Sequence, residues 1–220
     1  MKTKMFPILN FEQLVAEKLL DIKAVKLQPT NPFTWASGWK SPIYCDNRNT
    51  LSYPAVRSLI KSAFVSLIRE EYPDVEVIAG VATGAIGIGA LVADELGLPF
   101  VYVRSAPKGH GLENLIEGEL EVGKKVVVIE DLISTGGSSL KAVEAIRNAD
   151  CEVLGMVAIF SYQFQKAIDT FKEANVELFT LSNYETLLEV AVSKKYVSKE
   201  DLETLQEWRK DAANWRNDLK

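Results

Sequence analysis

Residues 126–139 read VVVIEDLISTGGSS. Two adjacent carboxylates, Glu130 and Asp131, follow four apolar residues. They precede a run of hydroxyl and glycine residues: Ser134, Thr135, Gly136, Gly137 and Ser138. Glycines let backbone N–H groups crowd around an anion, hydroxyls add donors, and a helix start adds partial positive charge. A phosphate fits such a loop. The carboxylates need a different partner, since a phosphate against them is repulsive. Two acceptors beside a phosphate cradle suit the vicinal hydroxyls of a ribose whose 5-phosphate lies in the loop. The bland alternative is a turn with solvated acids and a Ser/Gly cap. So dense a hydroxyl–glycine run after two acids favours the sugar-phosphate reading.

Three further stretches carry groups of chemical interest. Arg104-Ser105-Ala106-Pro107-Lys108-Gly109-His110-Gly111 holds the only histidine and two cations. Gly109, Gly111 and Gly118 make the segment to about Glu119 pliable. It is either a mobile surface loop or a lid whose cations neutralise a multiply charged leaving group such as diphosphate. Residues 33–48, FTWASGWKSPIYCDNR, combine aromatic rings, hydroxyls and cations. They suit the stacking and charge-matching of a flat anionic base, or simply a decorated β-segment. Residues 81–87, VATGAIG, follow an apolar run and open a helix. They read as a second anion loop or as a tight glycine turn.

These groups must be held by regular elements. Phe11, Leu14, Val15, Lys18, Leu19 and Ile22 predict a helix over 10–22, with Asn10 and Gln13 as a capping box. Residues 26–48 contain three prolines and a glycine among aromatic and β-branched residues, and predict loops with short strands. A helical apolar face predicts a helix over 53–72. Strands are then expected at 75–81, 100–104, 126–129, 153–160 and 176–181. Helices are expected at 86–96, 140–147 (opening near Ser139), 165–175, 184–194 and 199–218. Apolar strands alternating with helices make a parallel sheet covered on both faces. Ligands bind beyond the carboxyl ends of such strands, which puts Glu130 and Asp131 at a strand end. Trp208 and Trp215, seven apart, are expected on one face of the last helix, docked on the body.

Composition narrows the class. The 220 residues suit one large domain, 47% apolar, with enough material for a sizeable core. A net charge of −5 argues against nonspecific nucleic-acid binding. Cys45 and Cys151 lie far apart with no metal-type spacing, and read as a reduced intracellular pair, although spacing alone leaves a disulfide open. MKTKMFPILNFEQ has no long apolar core of a signal peptide, and no apolar run approaches the ~20 residues of a membrane span. The expectation is a soluble, cytoplasmic protein. Residues 118–125, GELEVGKK, match G-x-x-x-x-G-K, but Lys125 replaces the Ser/Thr and the stretch precedes a strand, so it is no P-loop. Gly84, Gly87 and Gly89 do not have dinucleotide-fingerprint spacing, and no G-x-S-x-G elbow occurs.

Ile129-Glu130-Asp131 followed by Ser134-Thr135-Gly136-Gly137 resembles the fingerprint of the type I phosphoribosyltransferases, which bind 5-phosphoribosyl 1-diphosphate there. Arg104-x-x-x-Lys108-x-His110-Gly111 resembles the catalytic loop of the orotate phosphoribosyltransferases. Ser37-Gly38-x-Lys40-Ser41-Pro42 is similar to the N-terminal element of one of their subgroups. The likeness covers about residues 10–190. It implies an α/β fold with a central, mostly parallel sheet flanked by helices. It also implies one domain over 1–220, with a small N-terminal base-binding hood (about 1–50) and a C-terminal helix (about 195–220).

The reaction implied is orotate plus 5-phosphoribosyl 1-diphosphate to orotidine 5′-phosphate and diphosphate. A purine or uracil phosphoribosyltransferase, or a non-enzymatic regulator binding the same sugar, remain the alternatives. The resemblance casts Lys108, His110 and Asp131 as catalytic. It assigns the diphosphate sugar to Arg104, Lys108, His110, Glu130, Asp131, Leu132, Ile133, Ser134, Thr135, Gly136, Gly137 and Ser138, with the 81–87 loop at the diphosphate. Orotate falls to Ser37, Lys40 and Ser134. Mg²⁺ is implied, held mainly by substrate and water, as is a homodimer sharing Arg104, Lys108 and His110 between subunits. The chain departs from many relatives at Ser105, and from some at Ala36, near Gly84 and near Tyr162 or Gln163, where they carry cations.

Overall fold

Alternating apolar strands and amphipathic helices fold as their periodicities dictate, in a computed structural model that describes residues 11–35, 37–106 and 115–216. Helix α1 (Phe11–Asp21) leads into two short antiparallel pairs, β1 (Val25–Leu27) with β4 (Ile43–Cys45), and β2 (Phe33–Thr34) with β3 (Lys40–Ser41). A 3₁₀ turn, Asn47–Ser52, connects them to α2 (Pro54–Glu71). Pro54 sits at that helix's start, where its missing N–H has no intrahelical partner to lose. The main body follows as β5 (Val77–Val81), α3 (Ile86–Leu96), β6 (Phe100–Val103), β7 (Ile116–Glu117), β8 (Lys125–Ile133), α4 (Gly137–Arg147), β9 (Glu152–Ser161), α5 (Gln165–Glu173), β10 (Leu178–Asn183), α6 (Tyr184–Ser193) and α7 (Lys199–Lys210).

The six-stranded sheet has the order β10-β9-β8-β5-β6-β7. Every pair is parallel except β6 with β7. Side-chain alternation divides the central strand between two cores. Val127 and Ile129 pack with Leu19, Phe64 and Ile88 of α1, α2 and α3. Val126 and Val128 pack with Val143 and Ile146 of α4 and Phe171 of α5. Each fully buried side chain of this kind stabilises the fold by about 1.5–3 kcal/mol.

The helices expected at 53–72 and 86–96 are found as α2 and α3. Three expectations are corrected. The strand expected at 126–129 runs on to Ile133, because β9 pairs with it throughout, Leu132 opposite Phe160 and Ile133 opposite Ser161. Glu130 and Asp131 therefore lie within the strand. Part of the segment expected to be pliable as far as Glu119 returns to the sheet: the N–H of Arg104 donates to the Leu115 carbonyl, and β7 pairs with β6. The last helix stops at Lys210, where Asp211 leaves helical dihedrals and a short turn carries the chain to Trp215. Trp208 is buried and Trp215 packs against the same core, so both dock as expected, but not from one helix face.

Candidate active site

Alternation along β8 turns the two acids apart. Glu130 faces α4. Its Oε2 accepts the Ser139 hydroxyl at 2.8 Å and its Oε1 accepts the Asp131 N–H at 2.9 Å. It is 5% exposed. Burial, and next the charge of Asp131, push its carboxyl up to about 8, with Ser139 pulling partly back. Asp131 faces the other way, toward the loop between β5 and α3. A Cβ built on Gly84 would lie 2.2 Å from an Asp131 carboxylate oxygen, so in this arrangement the loop approaches the acid more closely than a side chain at Gly84 allows.

Both acids line a cleft of about 370 Å³ at the carboxyl ends of the parallel strands. One wall is the start of α4. Gly136 caps it at φ +84° with no side-chain cap, so the first N–H groups of α4 find no cap acceptor there. The loop is braced from behind: Thr170 Oγ1 donates to the Thr135 carbonyl at 3.3 Å, and a Cβ on Gly136 would stand 2.9 Å from the Phe171 ring. A second wall is residues 82–84, joined by a cis Ala82–Thr83 peptide, ahead of α3, whose start also lacks a side-chain cap. Two helix starts thus converge on one cleft, each a place for an anion.

The hood supplies the third wall through Cys45, Asp46 and Arg48. Arg48 grips Asp46 with Nε at 2.7 Å and Nη2 at 2.9 Å, which holds the Asp46 carboxyl below its usual range. Burial pushes the Cys45 thiol up, so it stays protonated and donates to Asn47 Oδ1 at 3.3 Å. The Asn47 amide in turn donates to the Asp131 carbonyl at 2.6 Å. That chain ties the hood to the strand bearing the acids. The fourth wall is Arg104 and Ser105, just past the carboxyl end of β6, with Arg104 Nη1 3.3 Å from Glu117 Oε1.

The structure therefore brings Arg104, Glu130, Asp131, Leu132 and Ser138 together at one cleft. Ile133 ends β8, and Ser134 and Thr135 form the loop leading to Gly136 and Gly137. Ser37 and Lys40 stand apart, in the β2–β3 hairpin, where Lys40 Nζ donates to Thr34 Oγ1 at 3.0 Å; neither lines the cleft. Lys108, Gly109, His110 and Gly111 of the expected lid, Ala36 and the expected Asn10 cap lie outside the described residues. The lining residues Cys45, Asp46 and Arg48 close the stretch 33–48 read as a candidate base-binding element, although sequence named none of them as an individual contact. Cys45 and Cys151 are both free thiols. Among the described residues no group of three or more His, Cys, Asp or Glu gathers. Asp131 at the cleft fits a divalent ion carried mainly by substrate oxygens and water, and not by a protein cage.

A cleft that pairs strand-borne acids with two anion-binding helix starts, on a doubly wound sheet roofed by a hood, defines a phosphoribosyltransferase-type site. Comparison with known proteins agrees. The family model for the phosphoribosyl transferase domain matches residues 47–187. Orotate phosphoribosyltransferase of Bacteroides fragilis is 67% identical over 206 residues, 94% of this chain and 97% of that protein. Its counterpart in Porphyromonas gingivalis is 64% identical over 92% of this chain and 97% of that protein. The crystal structure of orotate phosphoribosyltransferase from Aeropyrum pernix superposes with a TM-score of 0.73 at 27% identity, covering 84% of this chain and 99% of that one. The chain belongs to the orotate phosphoribosyltransferase family.

Proposed function

We propose that this chain joins a ring nitrogen of orotate to the anomeric carbon of 5-phosphoribosyl 1-diphosphate, giving orotidine 5′-phosphate and diphosphate, a step of pyrimidine nucleotide synthesis. The observation that carries this is the Asp131 carboxylate in one cleft with the uncapped start of α4, in a chain 67% identical to an orotate phosphoribosyltransferase.

The 5-phosphate lies against the amides and hydroxyls of residues 134–138. Asp131 and Glu130 take the ribose hydroxyls, and Glu130 also braces the main chain under Asp131. The bond from the anomeric carbon to the diphosphate lengthens ahead of attack, and its electron pair leaves with the diphosphate. Positive charge builds on the ribose, where the charge of Asp131 complements it. The orotate nitrogen supplies the pair for the new bond, and its proton ends on the released diphosphate. Arg104, Lys108 and His110 neutralise the departing diphosphate, and the lid excludes water from the activated sugar. Asp131 would be the protein carboxylate nearest a Mg²⁺ ion held mainly by substrate oxygens and water, and that ion would supply positive charge against the diphosphate. The chain works as a cytoplasmic homodimer in which Lys108 and His110 reach the partner's cleft. Ser37, Lys40 and Ser134 contribute to orotate binding. No helix among the described residues is long and apolar enough to cross a membrane.

A base panel tests the assignment: orotate, uracil, adenine, guanine, hypoxanthine and xanthine, each with the diphosphate sugar and Mg²⁺. Only orotate should give nucleotide at an appreciable rate. Turnover of adenine or xanthine with silent orotate would overturn the base assignment and leave the sugar site standing. Sugar binding with no nucleotide from any base would point to the regulator instead.

A further inference from the structure

The reaction above makes no use of α7, yet that helix sends its largest side chain into the middle of the molecule. Trp208 is fully buried. Four rings surround its indole, with centroids at 5.3 Å (Phe164), 5.4 Å (Tyr184), 5.6 Å (Trp35) and 5.6 Å (Tyr162). The indole N–H has no hydrogen-bond partner among the described residues. Burying an unpaired donor is unfavourable, so shape and ring packing hold this residue in place.

Two of the four rings lead to the cleft. Trp35 belongs to the hood. Its own indole donates to the Ile43 carbonyl at 3.1 Å. Ile43 opens β4, and Cys45, the last residue of β4, lines the cleft with Asp46 and Arg48. Tyr162 belongs to the sheet side, where its N–H donates to the Ile133 carbonyl at 3.1 Å, at the end of β8. The two sides are not equally dependent on Trp208. The phosphate loop has its own braces from α5, at Thr170 and Phe171. The hood strand β4 is paired with β1, and its Ile43 carbonyl accepts the Ser41 hydroxyl at 2.8 Å as well as the Trp35 indole, which is the brace that reaches Trp208.

We propose that Trp208 is a positioning residue for the base side of the site. Through the Trp35 ring and the Ile43 carbonyl it fixes where β4 stands over the cleft, while touching none of the cleft itself. This rests on the proposed transfer to orotate, with the hood as the base-binding wall.

The test compares Trp208→Ala, Trp208→Phe, Trp35→Phe and, as a control in the opposite core, Ile146→Ala. Each is assayed for both KM values and kcat, with thermal melting alongside. Trp208→Ala should raise KM for orotate about tenfold or more and leave KM for the diphosphate sugar within about threefold. Trp208→Phe keeps an aromatic ring at the centre of the cluster while removing the N–H and part of the indole's volume, so it should be milder than Ala, with both KM values within about threefold of wild type. Trp35→Phe keeps a ring edge-on to Trp208 but loses the bond to Ile43, and should reproduce the orotate-selective rise. The inference is overturned if Trp208→Ala moves both KM values alike, if Ile146→Ala raises KM for orotate equally, or if Trp208→Phe is as damaging as Ala. Should Trp208→Ala not fold, Trp35→Phe decides: an unchanged KM for orotate overturns the inference. Wild-type turnover of orotate in the same series separates failure of this inference from failure of the reaction assignment.

Discussion

Replacing Glu130 by Gln removes a buried ionisation while keeping the shape gripped by the Asp131 N–H and the Ser139 hydroxyl. The Glu130 carboxyl is pushed from an ordinary 4.5 up to about 8. Its folded pKa is therefore raised, and the folded chain holds a proton that the unfolded chain has released. The stability tied to that proton is complete below about pH 4.5 and is lost as pH rises toward the folded value near 8. Each unit of pKa difference is worth about 1.4 kcal/mol, so the wild type should lose about 2 kcal/mol from this group between pH 6 and pH 8. Glu130→Gln carries no such ionisation and should lose none of it. Urea denaturation at pH 6, 7 and 8 reads the difference directly. The gap between wild type and variant should close or change in the variant's favour by about 2 kcal/mol across the series. Parallel stability profiles would refute the reasoning, because they would mean that Glu130 is already ionised in the folded protein at pH 6.

Other consequences can be checked separately. Asp131→Asn keeps the size of the side chain but removes the charge set against the developing cation, and turnover should fall by about 10²-fold or more with unchanged melting; turnover near wild type would reduce the acids to decoration. Gly136→Ala forces a side chain into a left-handed position at φ +84° and against Phe171. It should cost about 1–2 kcal/mol in denaturant unfolding and raise KM for the diphosphate sugar; a neutral result would show that the loop has freedom to relax. For the shared lid, Asp131→Asn and Lys108→Ala homodimers should each be nearly inactive. Co-refolding them in equal amounts makes half the dimers mixed, each with one site free of lesions, so activity should return to roughly a quarter of wild type. Mixed dimers with no recovery would show that each lid serves its own chain.

The sheet was legible because parallel strands buried on both faces read as plain apolar runs, as at 77–81 and 126–129, and because α2 and α3 carry full apolar stripes. The end of β8 was not legible, since Glu130 and Asp131 break the apolar run while the ladder to β9 continues beneath them. What overrides their polarity is pairing with a neighbouring strand, which leaves no mark within β8 itself. The sugar-phosphate loop was readable from glycine and hydroxyl density. The division of labour between the two acids was not, because it depends on Ser139 rising from α4 to meet Glu130. On the hood, sequence named Ser37 and Lys40 within the stretch 33–48, and the structure adds Cys45, Asp46 and Arg48 of the same stretch as the residues lining the cleft. The fold of a short two-stranded hairpin decides which of these residues turns inward, and two-residue strands such as β2 and β3 are too brief for a periodicity to show it.

Where the sugar sits is tested most directly by a crystal structure of the chain with 5-phosphoribosyl 1-diphosphate and Mg²⁺. The 5-phosphate should lie on the amides and hydroxyls of residues 134–138. The ribose hydroxyls should come within about 2.5–3.0 Å of the Asp131 carboxylate, with the diphosphate toward residues 82–84 and Arg104. A 5-phosphate bound instead at residues 82–84, or ribose hydroxyls turned away from Asp131, would contradict the assignment of the site.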